Sequence, residues 1–132
     1  MKRDYLNPKE LNKPKFYTHA VTAEGARKLV YVSGQVSWDA AGAVVGKGDM
    51  RAQSEQVFKN VTAALKAAGA GWDDIVKMNA YMVGLSAERV TAYREVRQRF
   101  LKERALPAST LVGVEALVHP ELLLEVEVVA AL

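Results

Sequence analysis

Leu122-Leu123-Leu124-Glu125-Val126-Glu127-Val128-Val129 is the stretch of sequence that decides the fold, because its alternation predicts a β-strand. Glu125 and Glu127 fall on one face, about 6.6 Å apart along the strand. The other face is wholly apolar and is expected to pack on a core. A carboxylate in partly apolar surroundings suits proton transfer near neutral pH. An ion pair with Lys77 or with an arginine across the sheet is the plainer alternative for these glutamates.

The composition restricts the kinds of chemistry that the chain can perform. With 132 residues, half of them hydrophobic, residues 1–132 are expected to form a single domain. The absence of cysteine excludes disulfides, zinc–thiolate sites and cysteine nucleophiles. Two isolated histidines predict no metal site, and no glycine-rich motif indicates a nucleotide cofactor, so no cofactor is expected.

The net charge of +3 is spread over interspersed charges, which argues against nucleic acid as a partner. No stretch resembles a signal peptide or a membrane span, and we expect a cytoplasmic protein.

The pattern of apolar residues predicts an α+β protein with a mixed sheet and both helices on one face. A polar segment through residue 15, either a strand fragment or an arm, comes first. It is followed by strands at 16–23 and 28–36, a helix at 50–68, a strand at 75–83, a helix after Ser86, and strands at 110–117 and 122–131. Asp49 and Ser86 are the expected N-caps, and Gly69 is expected to end the first helix. The last two strands are predicted to form a hairpin. The strands that flank each helix should be parallel neighbours or near-neighbours.

One face of the predicted sheet has no element left to cover it. The apolar face of the second strand is predicted to carry Val30, Val32, Gly34 and Val36. The uncovered face is predicted to carry Leu29, Tyr31, Ser33, Gln35, Lys77, Asn79, Tyr81, Val83, Leu123, Glu125, Glu127 and Val129. This mixture is too apolar for an ordinary solvated surface, so we predict an interface between copies of the chain. A sheet that is solvated on one side is the alternative.

Further candidates for a site lie outside the glutamate strand. Gly34, within Ser33-Gly34-Gln35, could let a ligand approach the backbone, or could mark a bulge or tight packing. Tyr17 and His19 could reach a pocket. The arginines of the second helix are expected to form a solvated face paired with Glu95 and Glu103; they are Arg94, Arg97, Arg99 and Arg104.

Four segments together resemble the RidA/YjgF family, the reactive intermediate deaminases also known as endoribonuclease L-PSP or translation-inhibitor proteins. They are Val32-Ser33-Gly34-Gln35, residues 68–77, Pro107-Ala108, and Leu124-Glu125-Val126-Glu127. The resemblance covers the chain from about Tyr17 onward. It implies a chorismate-mutase-like α+β fold and a homotrimer with small-molecule pockets in the clefts between subunits.

The resemblance also implies roles for individual residues. Glu127 corresponds to the glutamate that handles the attacking water, and Tyr17, Ser33 and Gly34 correspond to residues that bind substrate. Arg94 stands where many deaminating members have asparagine. In the family, an arginine follows the Pro-Ala pair and binds the substrate carboxylate, but here that residue is Ser109, followed by Thr110 and Leu111. The loss of a bidentate contact predicts at least a 10²-fold loss on carboxylate-bearing imines, at about 1.5–3 kcal/mol for each hydrogen bond, unless another cation substitutes.

Three functions therefore stay open from the sequence. The chain could hydrolyse an enamine, imine or related small metabolite, with Ser109 and Thr110 as hydroxyl donors or Arg94 as the replacement cation. It could instead be a metabolite-binding or regulatory trimer without catalysis. An RNA-directed activity is the third alternative, and the dispersed charge favours it least.

Overall fold

Six strands and two helices make up the regular structure of residues 1–132, all of which the computed structural model describes. In chain order they are β1 (Lys2–Leu6), β2 (Ala20–Glu24), β3 (Leu29–Val36), α1 (Met50–Ala67), β4 (Ile75–Val83), α2 (Ala87–Arg97), β5 (Ala108–Val114) and β6 (Leu124–Ala131). The α+β class predicted from the sequence is confirmed. Neither helix combines the length and the hydrophobicity that crossing a bilayer requires.

The main sheet has four strands in the order β3-β6-β4-β5. β6 runs antiparallel to both β3 and β4, whereas β5 runs parallel to β4. The predicted hairpin between the last two strands is wrong, because β5 pairs with β4 after the α2 crossover and β6 lies on the other side of β4. The strands flanking α2 are parallel neighbours as expected. Those flanking α1 are near-neighbours with β6 between them.

Local sequence signals set the ends of both helices. The side chain of Asp49 accepts a hydrogen bond from the Ala52 backbone N–H, 3.0 Å away, and Ser86 does the same for Arg89 at 3.1 Å. Gly69 has a φ of +73°, the left-handed conformation that glycine adopts at little cost after a helix. These three predicted helix signals are confirmed.

The core lies between the two helices and one face of the sheet. Its aromatic centre is Phe58 of α1, whose ring is 5.2 Å from that of Trp72 and 5.1 Å from that of Phe100. Leu123 is also in this core and only 8% exposed, which corrects its assignment to the uncovered face. It precedes β6, so strand alternation does not apply to it, and its backbone N–H donates to Oε1 of buried Gln53.

The segment before β2 is not part of a strand, which corrects the prediction for residues 16–23. β2 begins at Ala20 and pairs with β1 in a separate two-stranded sheet. Thr18 instead lies beside β5: its backbone N–H donates to the Pro107 carbonyl at 3.1 Å, and its hydroxyl donates to the Leu106 carbonyl at 2.6 Å. This contact holds Phe16 and Tyr17 next to the edge strand of the main sheet.

Candidate functional site

The face of the main sheet away from the helices, here called the open face, carries a polar row across three strands. Asn79 of β4 lies opposite Glu127 of β6 on one side and Thr110 of β5 on the other. Tyr31 of β3 lies on the same face and is 73% exposed. The register therefore gathers polar side chains at the middle of a sheet face that no element of the chain covers.

Two neighbours hold one oxygen of Glu127. The Asn79 side-chain amide donates to its Oε1 at 3.2 Å, and the Tyr81 hydroxyl donates to the same atom. The hydrogen bond to Glu127, followed by burial, raises the pKa of Tyr81, so the phenol stays protonated as a donor. Both donors bind Oε1, so neither of them occupies Oε2. The carboxylate is thus oriented by one oxygen and available through the other.

A β-bulge in β3 lies directly opposite Glu127. Val32 pairs with Val128 and Gln35 pairs with Val126, so Ser33 and Gly34 together face one residue of β6. The bulge reverses the alternation and turns Gly34 toward the open face, which corrects its predicted place on the apolar face. A Cβ on Gly34 would overlap Oε1 of Glu125 and lie 2.7 Å from its Cδ. A side chain at this position would therefore displace the carboxylate of Glu125.

Replacing Gly34 with alanine is expected to lower the free energy of unfolding by about 1 kcal/mol, because the Glu125 side chain must rotate away from the new methyl group. Urea unfolding of Gly34→Ala measures this. Gly71→Ala is the matched control, since the atom nearest to a Cβ added at Gly71 is 3.9 Å away. The double variant Gly34→Ala/Glu125→Ala should recover most of the loss. A single variant as stable as the wild type would contradict the assigned contact.

A shallow groove of about 310 Å³ runs along the open face beside this row. Its lining includes Ser33, Lys77, Asn79 and Glu127. Lys77 donates to the Thr110 hydroxyl at 3.1 Å and forms no ion pair with either glutamate of β6, so the plainer alternative for those glutamates is not realised. Two predicted site residues, Ser33 and Glu127, line this open-face groove. Two more lie beside it: Gly34 follows Ser33 in the bulge, and Thr110 accepts the hydrogen bond from Lys77.

A second cavity of about 390 Å³, here called the edge cavity, lies on the helix side of β5. It brings together Tyr17, Arg94 and Ser109, the remaining predicted site residues. The guanidinium carbon of Arg94 lies 4.1 Å from the centre of the Phe16 ring, a cation–π contact. Ser109 and Thr110 are consecutive in a strand and point to opposite faces, so the predicted site is divided between two surfaces of one chain.

Arg97 also lines the edge cavity, and its predicted place on a solvated, paired face is wrong. It is only 4% exposed and takes part in no ion pair. Glu95 pairs instead with Arg51. The sequence did contain a signal, because Arg97 follows Tyr93 by four residues and so shares the buried side of α2.

No cluster of three or more metal-ligating side chains occurs in the chain.

The sheet order β3-β6-β4-β5, with both helices on one face, defines an α+β protein with a mixed sheet. The family model for endoribonuclease L-PSP matches residues 9–132. The chain belongs to this family, which includes the RidA/YjgF and RutC proteins.

Individual relatives agree with the family assignment. A RutC family protein of Synechocystis is 28% identical over 88% of this chain and 85% of its own length. A 2-iminobutanoate/2-iminopropanoate deaminase of Dermatophagoides farinae is 31% identical over 67% of this chain and 66% of its own. A crystal structure of a Rid family protein of unknown function from Yersinia pestis superposes with a TM-score of 0.90 at 33% identity, covering all of both chains.

Proposed function

We propose that the protein is a homotrimer that hydrolyses an imine, an enamine or a related small metabolite in clefts between its subunits. Glu127 acts on the water. The observation that carries this proposal is the fixed carboxylate: Asn79 and Tyr81 both bind Oε1, and neither binds Oε2. The deaminase name of the Dermatophagoides farinae relative supports the choice of reaction. We also propose a cytoplasmic location, with which the absence of cysteine is compatible.

The trimer would unite the two halves of the site. In one chain, Glu127 and Ser33 line the open-face groove, whereas Tyr17 and Ser109 line the edge cavity. The open face also exposes 53% of Leu29 and 73% of Tyr31, which a neighbouring subunit would cover. Placing the edge cavity of one subunit against the open-face groove of the next would form a closed cleft that contains all the candidate residues.

The reaction needs a base and returns a proton. As water attacks the imine carbon, Glu127 accepts one of its protons, and the C=N electron pair moves to nitrogen. The nitrogen takes this proton, which gives a neutral carbinolamine. Glu127 then carries the hydroxyl proton of this adduct to the nitrogen as the C–N bond breaks, and ammonia and a carbonyl compound leave. Asn79 and Tyr81 keep the carboxylate in position throughout, so no reorganisation is needed when charge develops.

The residue at position 109 distinguishes this chain from an ordinary 2-imino acid deaminase. Ser109 offers a hydroxyl where an arginine would offer a charged fork, and a hydroxyl binds a carboxylate more weakly. We therefore propose a substrate preference that differs from that of the family members with arginine at this position.

Ammonia release from a panel of imines tests the proposal directly. The wild-type protein is expected to hydrolyse at least one small imine, and to act on 2-iminobutanoate at least 10²-fold more slowly than a relative with arginine at position 109, unless another cation binds the carboxylate. Light scattering should give three times the mass of the chain. Equal rates on 2-iminobutanoate would overturn the role assigned to Ser109. Binding of the carbonyl products of these imines, without any turnover, would favour a metabolite-binding or regulatory trimer. RNA cleavage that is lost when a residue of the open-face groove is substituted would favour the RNA-directed activity.

A further inference from the structure

Arg97 is a buried cation without a counter-ion. It is 4% exposed, and its Nη2 has no hydrogen-bond acceptor. The arginines that form ion pairs are elsewhere, such as Arg99 with Glu55 and Arg51 with Glu95. Buried charges in proteins are normally paired, because removing a charge from water without compensation destabilises the folded state. An unpaired guanidinium in this position therefore requires an explanation.

The edge cavity that Arg97 lines is cationic and contains no acid. Glu103 lines the adjoining cavity on which Arg97 also borders, but it forms no ion pair with Arg97. The edge cavity holds two guanidinium groups, those of Arg94 and Arg97, and three hydroxyls, those of Tyr17, Tyr93 and Ser109. No aspartate or glutamate lines it. Burial lowers the pKa of Arg97, yet arginine keeps its proton in proteins, so the cavity is positively charged.

The shape of the cavity indicates the chemistry of its ligand. A volume of about 390 Å³ lies within the usual range for small-molecule sites, and six of the nine lining residues are hydrophobic. An inorganic anion would leave those apolar walls unused. A planar carboxylate matches the guanidinium fork, and a short hydrocarbon tail would pack on Leu85, Val90 and Leu111. Phe16 and Arg97 also line an adjoining cavity of about 260 Å³, so they form the wall between the two.

We propose that the edge cavity binds the carboxylate group of a small organic acid and that Arg97 is the side chain that receives it. Arg94, held against Phe16, adds a second positive charge at the same place. The inference rests on the proposed function in one respect, since the edge cavity would form one half of the cleft. Arg97 would supply the cation that is missing because Ser109 stands in place of an arginine. This cation would come from α2 instead of β5.

Binding of butanoate to the full-length protein tests this without any turnover. Isothermal titration calorimetry should show butanoate binding at least 10-fold tighter than butanamide, its neutral analogue. Arg97→Met should weaken butanoate binding at least 10-fold, and Arg97→Lys, which keeps the charge but loses the fork, should weaken it less. Arg99→Met is the matched control, because it removes an exposed arginine two positions along the chain, and its affinity should equal that of the wild type.

Stability separates a binding role from a structural one. Without ligand, Arg97→Met should unfold at an equal or higher urea concentration than the wild type, because it removes an unpaired buried charge. The inference is overturned if butanoate and butanamide bind equally, or if Arg97→Met binds butanoate as the wild type does. It is also overturned if Arg97→Met dissociates the oligomer, since a carboxylate of the neighbouring subunit would then be its partner. Butanoate binding without imine hydrolysis would refute the proposed reaction and leave this site intact.

Discussion

Glu127→Gln is expected to lower kcat for imine hydrolysis by about 10²-fold or more and to leave KM within a few-fold of the wild type. General-base catalysis contributes about 10²–10⁴-fold, and glutamine cannot accept the proton of water. The amide keeps the size of the side chain, and its oxygen can still accept from Asn79 and Tyr81. The loss should therefore appear in the chemical step. Ammonia release at saturating substrate, together with the KM, measures both quantities.

The matched control for this variant is Glu125→Gln. Glu125 lies on the same strand and the same face, two residues earlier, but packs against Gly34 and is not held by Asn79. Its substitution should change kcat at least 10-fold less than Glu127→Gln does. If Glu127→Gln kept the wild-type rate, or if both glutamine variants lost activity equally, the assignment of the water to Glu127 would be wrong.

Phe58→Ala is expected to have the largest effect on stability, about 3–5 kcal/mol in the free energy of unfolding. Phe58 is fully buried in α1, and its ring packs on those of Trp72, Tyr93 and Phe100. Truncation leaves a cavity that both helices and the turn before β4 line, and stacked rings cannot close it without losing their own contacts. Urea unfolding followed by circular dichroism, at one fixed protein concentration, measures the change.

Val118→Ala is the control for the core substitution. Val118 is 78% exposed, so its truncation should change the free energy of unfolding by no more than about 0.5 kcal/mol. If Phe58→Ala cost as little as this control, the aromatic cluster would not be the centre of the core.

Most of the fold could be predicted because its signals are local. Asp49, Gly69 and Ser86 act on the turn of chain in which they occur, so the ends of the helices follow from a few neighbouring residues. The alternation in β4 and β6 is also a local property. Strand order is different, because it depends on which edges meet after the helices pack, and the predicted hairpin of the last two strands was wrong for this reason.

The site was predicted as a set of residues but not as a geometry. The family resemblance pointed to Glu127, Ser33, Tyr17 and Ser109, but it did not separate them onto two surfaces. Ser109 and Thr110 face opposite ways by strand alternation, and Tyr17 lies beside Ser109 because Thr18 bonds to the chain next to β5. Glycine within a strand was a signal for the bulge at Gly34, but the reversal of faces follows from the pairing with β6, which is not a local property. Arg97 was missed because a charged residue was assigned to solvent, although its spacing from Tyr93 placed it on the buried side of α2.

The position of β6 has a consequence for how the sheet assembles. β6 follows β3 and β4 in the chain but lies between them, so those two strands cannot be joined until β6 has folded. An intermediate with only β3, α1 and β4 would leave a gap one strand wide, bordered by unpaired edges. Such edges pair readily with other chains, and long-range pairing is slow. The rate at which β6 enters this gap should therefore decide between folding and aggregation, and the same step brings Glu127 to Asn79 and Tyr81.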